Sequence, residues 1–133
     1  MYYEGDLFNG IGFDVGYYQR NYEGNYKDGK RDGLHKSWND DGQLRYEENY
    51  KEGKRDGLFK GWYENGQLEY VYNWKDGESD GLFKSWYDDG QLKSEGNWKD
   101  SKRDGLHKKW DKNGDLIYTI NSKDGKEIEL IKY

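Results

Sequence analysis

The sequence predicts an all-β fold, an elongated single-layer tandem array of antiparallel β-hairpins. Three observations carry that prediction. First, Gly33, Gly57, Gly81 and Gly105 recur every 24 residues, as do Trp38, Trp62, Trp86 and Trp110. Second, each unit holds two runs with two-residue alternation, the pattern of strands. Third, Asp-Gly or Asn-Gly dipeptides separate those runs.

The same period carries Asp32, Asp56, Asp80 and Asp104, then Leu34, Leu58, Leu82 and Leu106, then Lys36, Lys60, Lys84 and Lys108. It continues through Gly42, Gly66, Gly90 and Gly114 and through Leu44, Leu68, Leu92 and Leu116. Leu34 and Trp38 lie an even number of residues apart in the first strand of a unit, as do Leu44, Tyr46 and Tyr50 in the second. The column Leu34/Trp38/Leu44/Tyr50 with its repeats is therefore expected to form the core. Arg45, Glu47 and Asn49 are expected to face water. Asp41-Gly42, Asn65-Gly66, Asp89-Gly90 and Asn113-Gly114 supply the positive φ of the hairpin turn within each unit. Asp28-Gly29, Glu52-Gly53 and Asp76-Gly77 form a second turn family joining one unit to the next. The absence of proline fits a sheet whose inner strands donate hydrogen bonds to both neighbours. At about 4.8 Å per strand, one unit advances the ribbon about 10 Å.

The period divides the 133 residues into three parts: residues 1–21, where it degenerates; residues 22–122, which hold the repeats; and residues 123–133, expected as a capping strand. Ser122 stands where Trp74 and Trp98 stand, and Ile128-Glu129-Leu130-Ile131 replaces the next Asp-Gly step. Terminal units of an open array have no neighbour to cover them, so such departures are expected at its ends. Inside the array, Glu78-Ser79 replaces the Lys-Arg of other units, and Ser101 replaces a turn glycine.

Composition bounds the function. Apolar residues make up 32% of the chain and aromatics 18%, so rings must supply most of the buried area. The net charge of −5 comes from interspersed acids and bases, with no basic stripe for nucleic acid. Without cysteine there is no disulfide, thiolate metal site or cysteine nucleophile. No leader or apolar run of membrane-spanning length is present, so a cytoplasmic location is expected.

These units resemble the MORN repeat (membrane occupation and recognition nexus), in particular the bacterial 24-residue variant associated with antitoxins. The best copy runs from Trp86-Tyr87-Asp88-Asp89-Gly90-Gln91-Leu92 through Lys93-Ser94-Glu95-Gly96-Asn97-Trp98 to Lys99-Asp100. Tyr22-Glu23-Gly24-Asn25-Tyr26 is a second match, and Tyr3-Glu4-Gly5 with Asn9-Gly10 a degenerate one. The resemblance implies a hairpin array without an active site, whose functions include binding partner proteins, dimerising, neutralising a toxin or contacting lipid.

Candidate site residues divide accordingly. His35 and His107, three periods apart, are expected about 30 Å from each other and cannot share a metal. Phe59 and Phe83 fill the same slot in the units between, which reads as a partly exposed aromatic position. Neither a catalytic residue, a metal site nor a cofactor is assigned. Asp40-Asp41-Gly42 lacks the spaced oxygen ligands of a calcium loop. Phe59, Tyr63, Phe83, Tyr87, His35 and His107 are the candidate partner-binding residues, because aromatic rings supply stiff contact area. The expected partner is a protein, occluded as by an antitoxin or inhibitor. Alternatives are carbohydrate stacking on the aromatic row, or anionic lipid held by the Lys36/60/84/108 and Lys27/51/75/99 columns, which their acidic neighbours disfavour. Open edge strands also allow a homodimer.

Overall fold

The computed structural model describes residues 9–16 and 19–133, and among these every regular element is a strand. In chain order they are β1 (Gly10–Gly16), β2 (Gln19–Lys27), β3 (Lys30–Trp38), β4 (Leu44–Lys51), β5 (Lys54–Trp62), β6 (Leu68–Lys75) and β7 (Glu78–Ser79). Then follow β8 (Gly81–Trp86), β9 (Leu92–Lys99), β10 (Lys102–Arg103), β11 (Gly105–Trp110), β12 (Leu116–Lys123) and β13 (Lys126–Lys132). All belong to one sheet, whose long strands pair antiparallel in chain order; the short β7 pairs with β6 ahead of β8, and β10 with β9 ahead of β11. The Tyr3-Glu4-Gly5 part of the expected degenerate copy lies outside the described residues.

Both turn families are present, and each has its own geometry. Lys27 pairs with Lys30 across Asp28 (φ 50°) and Gly29 (φ 74°), so both central residues are left-handed, as a two-residue type I′ turn requires. Lys51/Lys54 and Lys123/Lys126 repeat it. Ser101 holds φ 60° in the same turn without the freedom of a glycine. Its amide donates to the Ser79 carbonyl at 2.9 Å, and the Ser79 amide is 3.2 Å from its hydroxyl. Two departures from the repeat thus face each other. In the other family the Gly42 amide donates to the Asn39 carbonyl and the Asn39 amide to the Gln43 carbonyl, so Gly42 alone takes positive φ.

Two irregularities per unit set the register. Ser37 pairs with Tyr46 but Trp38 with Leu44, so Arg45 is an extra residue on β4. On the other side, Glu48 pairs with Phe59 and Tyr50 with Arg55, leaving Asp56-Gly57-Leu58 opposite Asn49 alone. The Asn49 side-chain amide donates to the Leu58 carbonyl at 3.0 Å, as Asn25 does to Leu34 and Asn73 to Leu82, closing the gap in the ladder. Gly57 at φ +106° is required twice over, because a Cβ there would meet the Asn49 Cβ at 3.2 Å.

This register corrects the expected core. Leu34 pairs with Asn49 and Gly33 with Tyr50, so the leucines share a face with Asn49, Lys36 and Glu47. Leu34, Leu58, Leu82 and Leu106 are exposed, by 36% to 62%. The side that gathers the aromatics instead carries Gly33, His35 and Ser37 of β3 with Tyr46, Glu48 and Tyr50 of β4, and their equivalents. The core is thus one layer of rings: Tyr46, Phe59, Tyr70, Tyr72 and Phe83 follow one another at centroid distances of 4.5 to 6.1 Å. At β12 and β13 aliphatics replace rings; Ile120, paired with Leu130, is the buried apolar side chain among the described residues, while Ile128 and Ile131 are exposed.

The bulge makes a graded prediction. Gly57→Ala is expected to lower stability by about 1–3 kcal/mol, through backbone strain and the Asn49 contact. Gly66→Ala, at φ +84° with nothing within 4 Å of its Cβ, carries backbone strain alone, about 1 kcal/mol. Urea denaturation midpoints in which Gly66→Ala is the more damaging would refute this account of the register.

Candidate functional site

The aromatic face has three columns. The first runs Tyr22, Ser37, Tyr46, Gly61, Tyr70, Ser85, Ser94, Lys109, Tyr118. The middle one begins Gly24, His35, Glu48, Phe59, Tyr72 and, from β8 onward, runs Phe83, Gly96, then His107, Ile120. The third holds Tyr50, Trp74 and Trp98 beside Gly33, Gly57 and Gly81. Rings here are half-buried, because among the described residues no second layer lies over them.

The histidines occupy the expected slot, but not as partly exposed groups. His35 is 1% exposed and His107 8%. The physical reason is the residue on the preceding strand. Gly24 lies beside His35, and a Cβ on Gly24 would collide with the ring; Gly96 stands in the same relation to His107. Without a side chain there, the imidazole lies down on the strand. Its Nε2–H then donates to a backbone carbonyl, Asn25 for His35 and Asn97 for His107, both at 2.8 Å. Phe59 pairs with Glu48 of β4, and the ring of Phe83 meets that of Tyr72 of β6 at 4.5 Å, so side chains rather than bare backbone lie beside them and those rings stay half-exposed. The Tyr22 hydroxyl bonds His35 Nδ1, and burial, its largest cause, holds each imidazole's pKa below the ordinary value. The two histidines sit on β3 and β11, far apart in the strand order.

Tyr63 and Tyr87 act between units. Each hydroxyl donates to the backbone carbonyl of the next unit's tryptophan, Trp86 or Trp110, at 2.9 Å. Phe83 walls two shallow cavities. One, about 290 Å3, includes Tyr63, Tyr70, Tyr72, Ser85 and Trp86. The other, about 150 Å3, includes Trp98, Arg103, His107, Lys109 and Tyr118.

A charged network belongs to the same face. Glu48 accepts from the Tyr50 hydroxyl at 2.6 Å and from Arg55 at 3.3 Å, with Arg31 at 3.9 Å. The guanidinium of Arg31 lies over Tyr22 and Tyr50, and that of Arg55 lies 5.0 Å from the ring centroids of both Phe59 and Trp74. The list of candidate residues drawn from the sequence lacks this trio. Its signal was Glu48, which shares the parity of Tyr46 and Tyr50 and so had to face the rings.

On the opposite face the lysines are met by carboxylates. Glu23, Lys36, Glu47 and Lys60 pair in succession across β2 to β5, and Lys84, Glu95 and Lys108 across β8 to β11. Lys36–Glu47 is 3.6 Å and Lys84–Glu95 3.8 Å. That ladder spends the Lys36/60/84/108 column on its own neighbours. Among the described residues no three His, Cys, Asp or Glu side chains group to hold a metal, and no helix is long and apolar enough to cross a membrane.

Sheet and site together define, among the described residues, an open tandem array of hairpins with an exposed aromatic face. Family comparison agrees: residues 31–52, 55–76, 79–100 and 103–124 each match the MORN repeat variant. The chain belongs to this family, whose repeats are generally binding motifs for proteins or membranes. No curated protein matches the chain.

Burial of the histidines makes stability depend on pH with a definite sign. An imidazole free in the unfolded chain titrates near pH 6.5, and the folded values are lower. Above about pH 6.5 both states are neutral and the effect is nil. As pH falls below that, the unfolded chain takes up protons the folded one refuses, and stability drops. His35→Phe is expected to cost about 1–3 kcal/mol at pH 7.5, since Tyr22 and the Asn25 carbonyl lose their partner. The same variant is expected to show a shallower loss from pH 6.5 to 5. An unchanged slope in the double variant with His107→Phe would show that other groups control acid sensitivity.

Proposed function

We propose that the protein is a protein-binding scaffold, and that the aromatic face, centred on Phe59, Tyr63, Phe83 and Tyr87, receives its partner. The observation that carries this reading is the single layer of half-buried rings between β4 and β9, with shallow cavities on both sides of Phe83. Stiff rings of this kind make interface anchors at small entropic cost. His35 and His107 serve by shaping the face from beneath rather than by touching the partner. Inhibitor-like or antitoxin-like occlusion is part of the same reading, since a ribbon with no chemistry of its own acts on a partner by covering it. Lipid recognition by the lysine columns has the weaker support, given their pairing with Glu23, Glu47 and Glu95.

The test uses the two faces as controls for each other. Phe59→Ser/Phe83→Ser is expected to weaken capture of the partner from host lysate about tenfold or more. Leu58→Ser/Leu82→Ser, on the opposite face, is expected to leave it unchanged. With circular dichroism confirming that both variants fold, equal capture by the two would remove the proposal.

A further inference from the structure

The third unit breaks a rule that the first two obey. Arg31 and Arg55 lie over the rings of their units, and the residue one period further is Ser79, paired with Trp74 as Arg55 is with Tyr50. By the same lattice an arginine at position 79 would cover Phe83 and Trp98. Serine cannot reach them, and among the described residues no cation lies over either ring. Tyr72 and Phe83, with centroids 4.5 Å apart, and Trp98 therefore leave an uncapped slot in the middle of the face.

Charge flanks that slot on both sides. Among the ladder-paired positions of this face from β3 to β12, the cations are Arg31, Arg55, Arg103 and Lys109, and the one carboxylate is Glu48. Glu48 is already committed to Arg31, Arg55 and Tyr50. Arg103 and Lys109 line the Phe83/Trp98 cavity and form no ion pair among the described residues; Glu95, at the same wall, is paired with Lys84 at 3.8 Å, and Lys109 stands where other units have Ser37, Gly61 and Ser85.

We infer that this face takes an extended polypeptide segment in which an apolar ring, seated on Phe83 and Trp98, is flanked by acidic residues that meet Arg55 on one side and Arg103 or Lys109 on the other. The inference rests on the protein-docking reading of the face and names its ligand chemistry. Spacing follows from the sheet: one unit advances about 10 Å, and an extended chain about 3.3 Å per residue, so acids about three residues either side of the ring fit. A bilayer is a poorer occupant. Arg55 is held 5.0 Å from the ring centroids of Phe59 and Trp74 and 3.3 Å from Glu48, within reach of a chain laid on the face.

The experiment titrates the 15N-labelled full chain with the capped peptide Asp-Gly-Ser-Phe-Ser-Gly-Asp while following the tryptophan indole N–H resonances. A saturable shift of Trp98 is expected. Arg55→Ser or Arg103→Ser should each weaken binding about two- to fivefold, as partly exposed ion pairs do. The peptide with lysine in place of both aspartates should not bind. Ser79→Arg decides between mechanisms. Simple charge attraction predicts tighter binding to a chain with one more cation, whereas a slot filled by its own guanidinium predicts weaker binding. The Arg55→Ser and Ser79→Arg variants exchange residues that the repeat already carries at that position, and amide spectra report their folding.

No saturable shift at Trp98, equal binding of the lysine peptide, or tighter binding by Ser79→Arg would overturn the inference. So would a Trp98 response to phosphatidylserine vesicles with none to the peptide. If the peptide is silent while Phe59→Ser/Phe83→Ser still loses its captured partner, the face docks a protein and only the ligand chemistry is wrong. Peptide binding with partner capture indifferent to Phe59 and Phe83 would instead sink the docking reading.

Discussion

Register across the two bulges is the constraint on which everything else in this sheet depends. A strand's side chains alternate with a period of two, so a one-residue slip exchanges the faces. Here the extra residue at Arg45 and the Asp56-Gly57-Leu58 excursion opposite Asn49 decide, unit after unit, that rings rather than leucines share a side. Asn25, Asn49 and Asn73 hold the excursion closed with their side-chain amides. A glycine at φ +100° to +107° makes each of these three excursions possible. Four atoms of asparagine and the missing methyl of a glycine thereby fix the orientation of a whole strand.

That constraint also explains what was legible in the sequence. Period, strand positions, both turn families and the open-array architecture follow from local chemistry: Asp-Gly and Asn-Gly turns, alternating runs, recurring tryptophan. Which parity faces inward does not, because counting along one strand says nothing about how many residues the partner strand inserts. Leu34 and Tyr50 share a numerical parity and lie on opposite sides of the sheet, since β3 and β4 pair an odd-numbered residue with an even-numbered one. Hydrophobicity pointed the wrong way too, as leucine outranks histidine on any apolar scale. One clue was available: histidine occurs in the units where the residue eleven positions earlier is glycine, Gly24 before His35 and Gly96 before His107, whereas Phe59 and Phe83 follow Glu48 and Tyr72. A ring that lies down on the neighbouring strand to reach its backbone carbonyl needs that backbone bare, and the pairing of His with Gly is the trace of that need.

A single-layer sheet lacks the second layer that ordinarily dries a core. This chain compensates by stacking its rings along the ribbon and by laying arginines over them, so that hydrophobic and cation–π contacts replace a facing sheet. The carboxylate of Glu48 ties two such arginines together, and ion pairing on the other face neutralises the lysines row by row. Stability is then local, each unit depending on its neighbours, and a gap in the arrangement stays confined to the unit where it occurs.

Recognition in such an array has to come from places where the repeat is broken. An unbroken lattice offers the same surface every 10 Å or so and cannot set a ligand's register along itself. Ser79 and Lys109 are breaks of opposite kind on the same face, one removing a cation from above two rings and the other adding one where serine or glycine is usual. The turn beside Ser79 accommodates its change at the backbone, through the reciprocal contacts with Ser101, so the substitution need not disturb the sheet. Together they give one stretch of the ribbon a pattern not repeated among the described residues, an uncovered ring pair with positive charge on either side. A partner that reads this pattern is held in one position on an otherwise periodic surface.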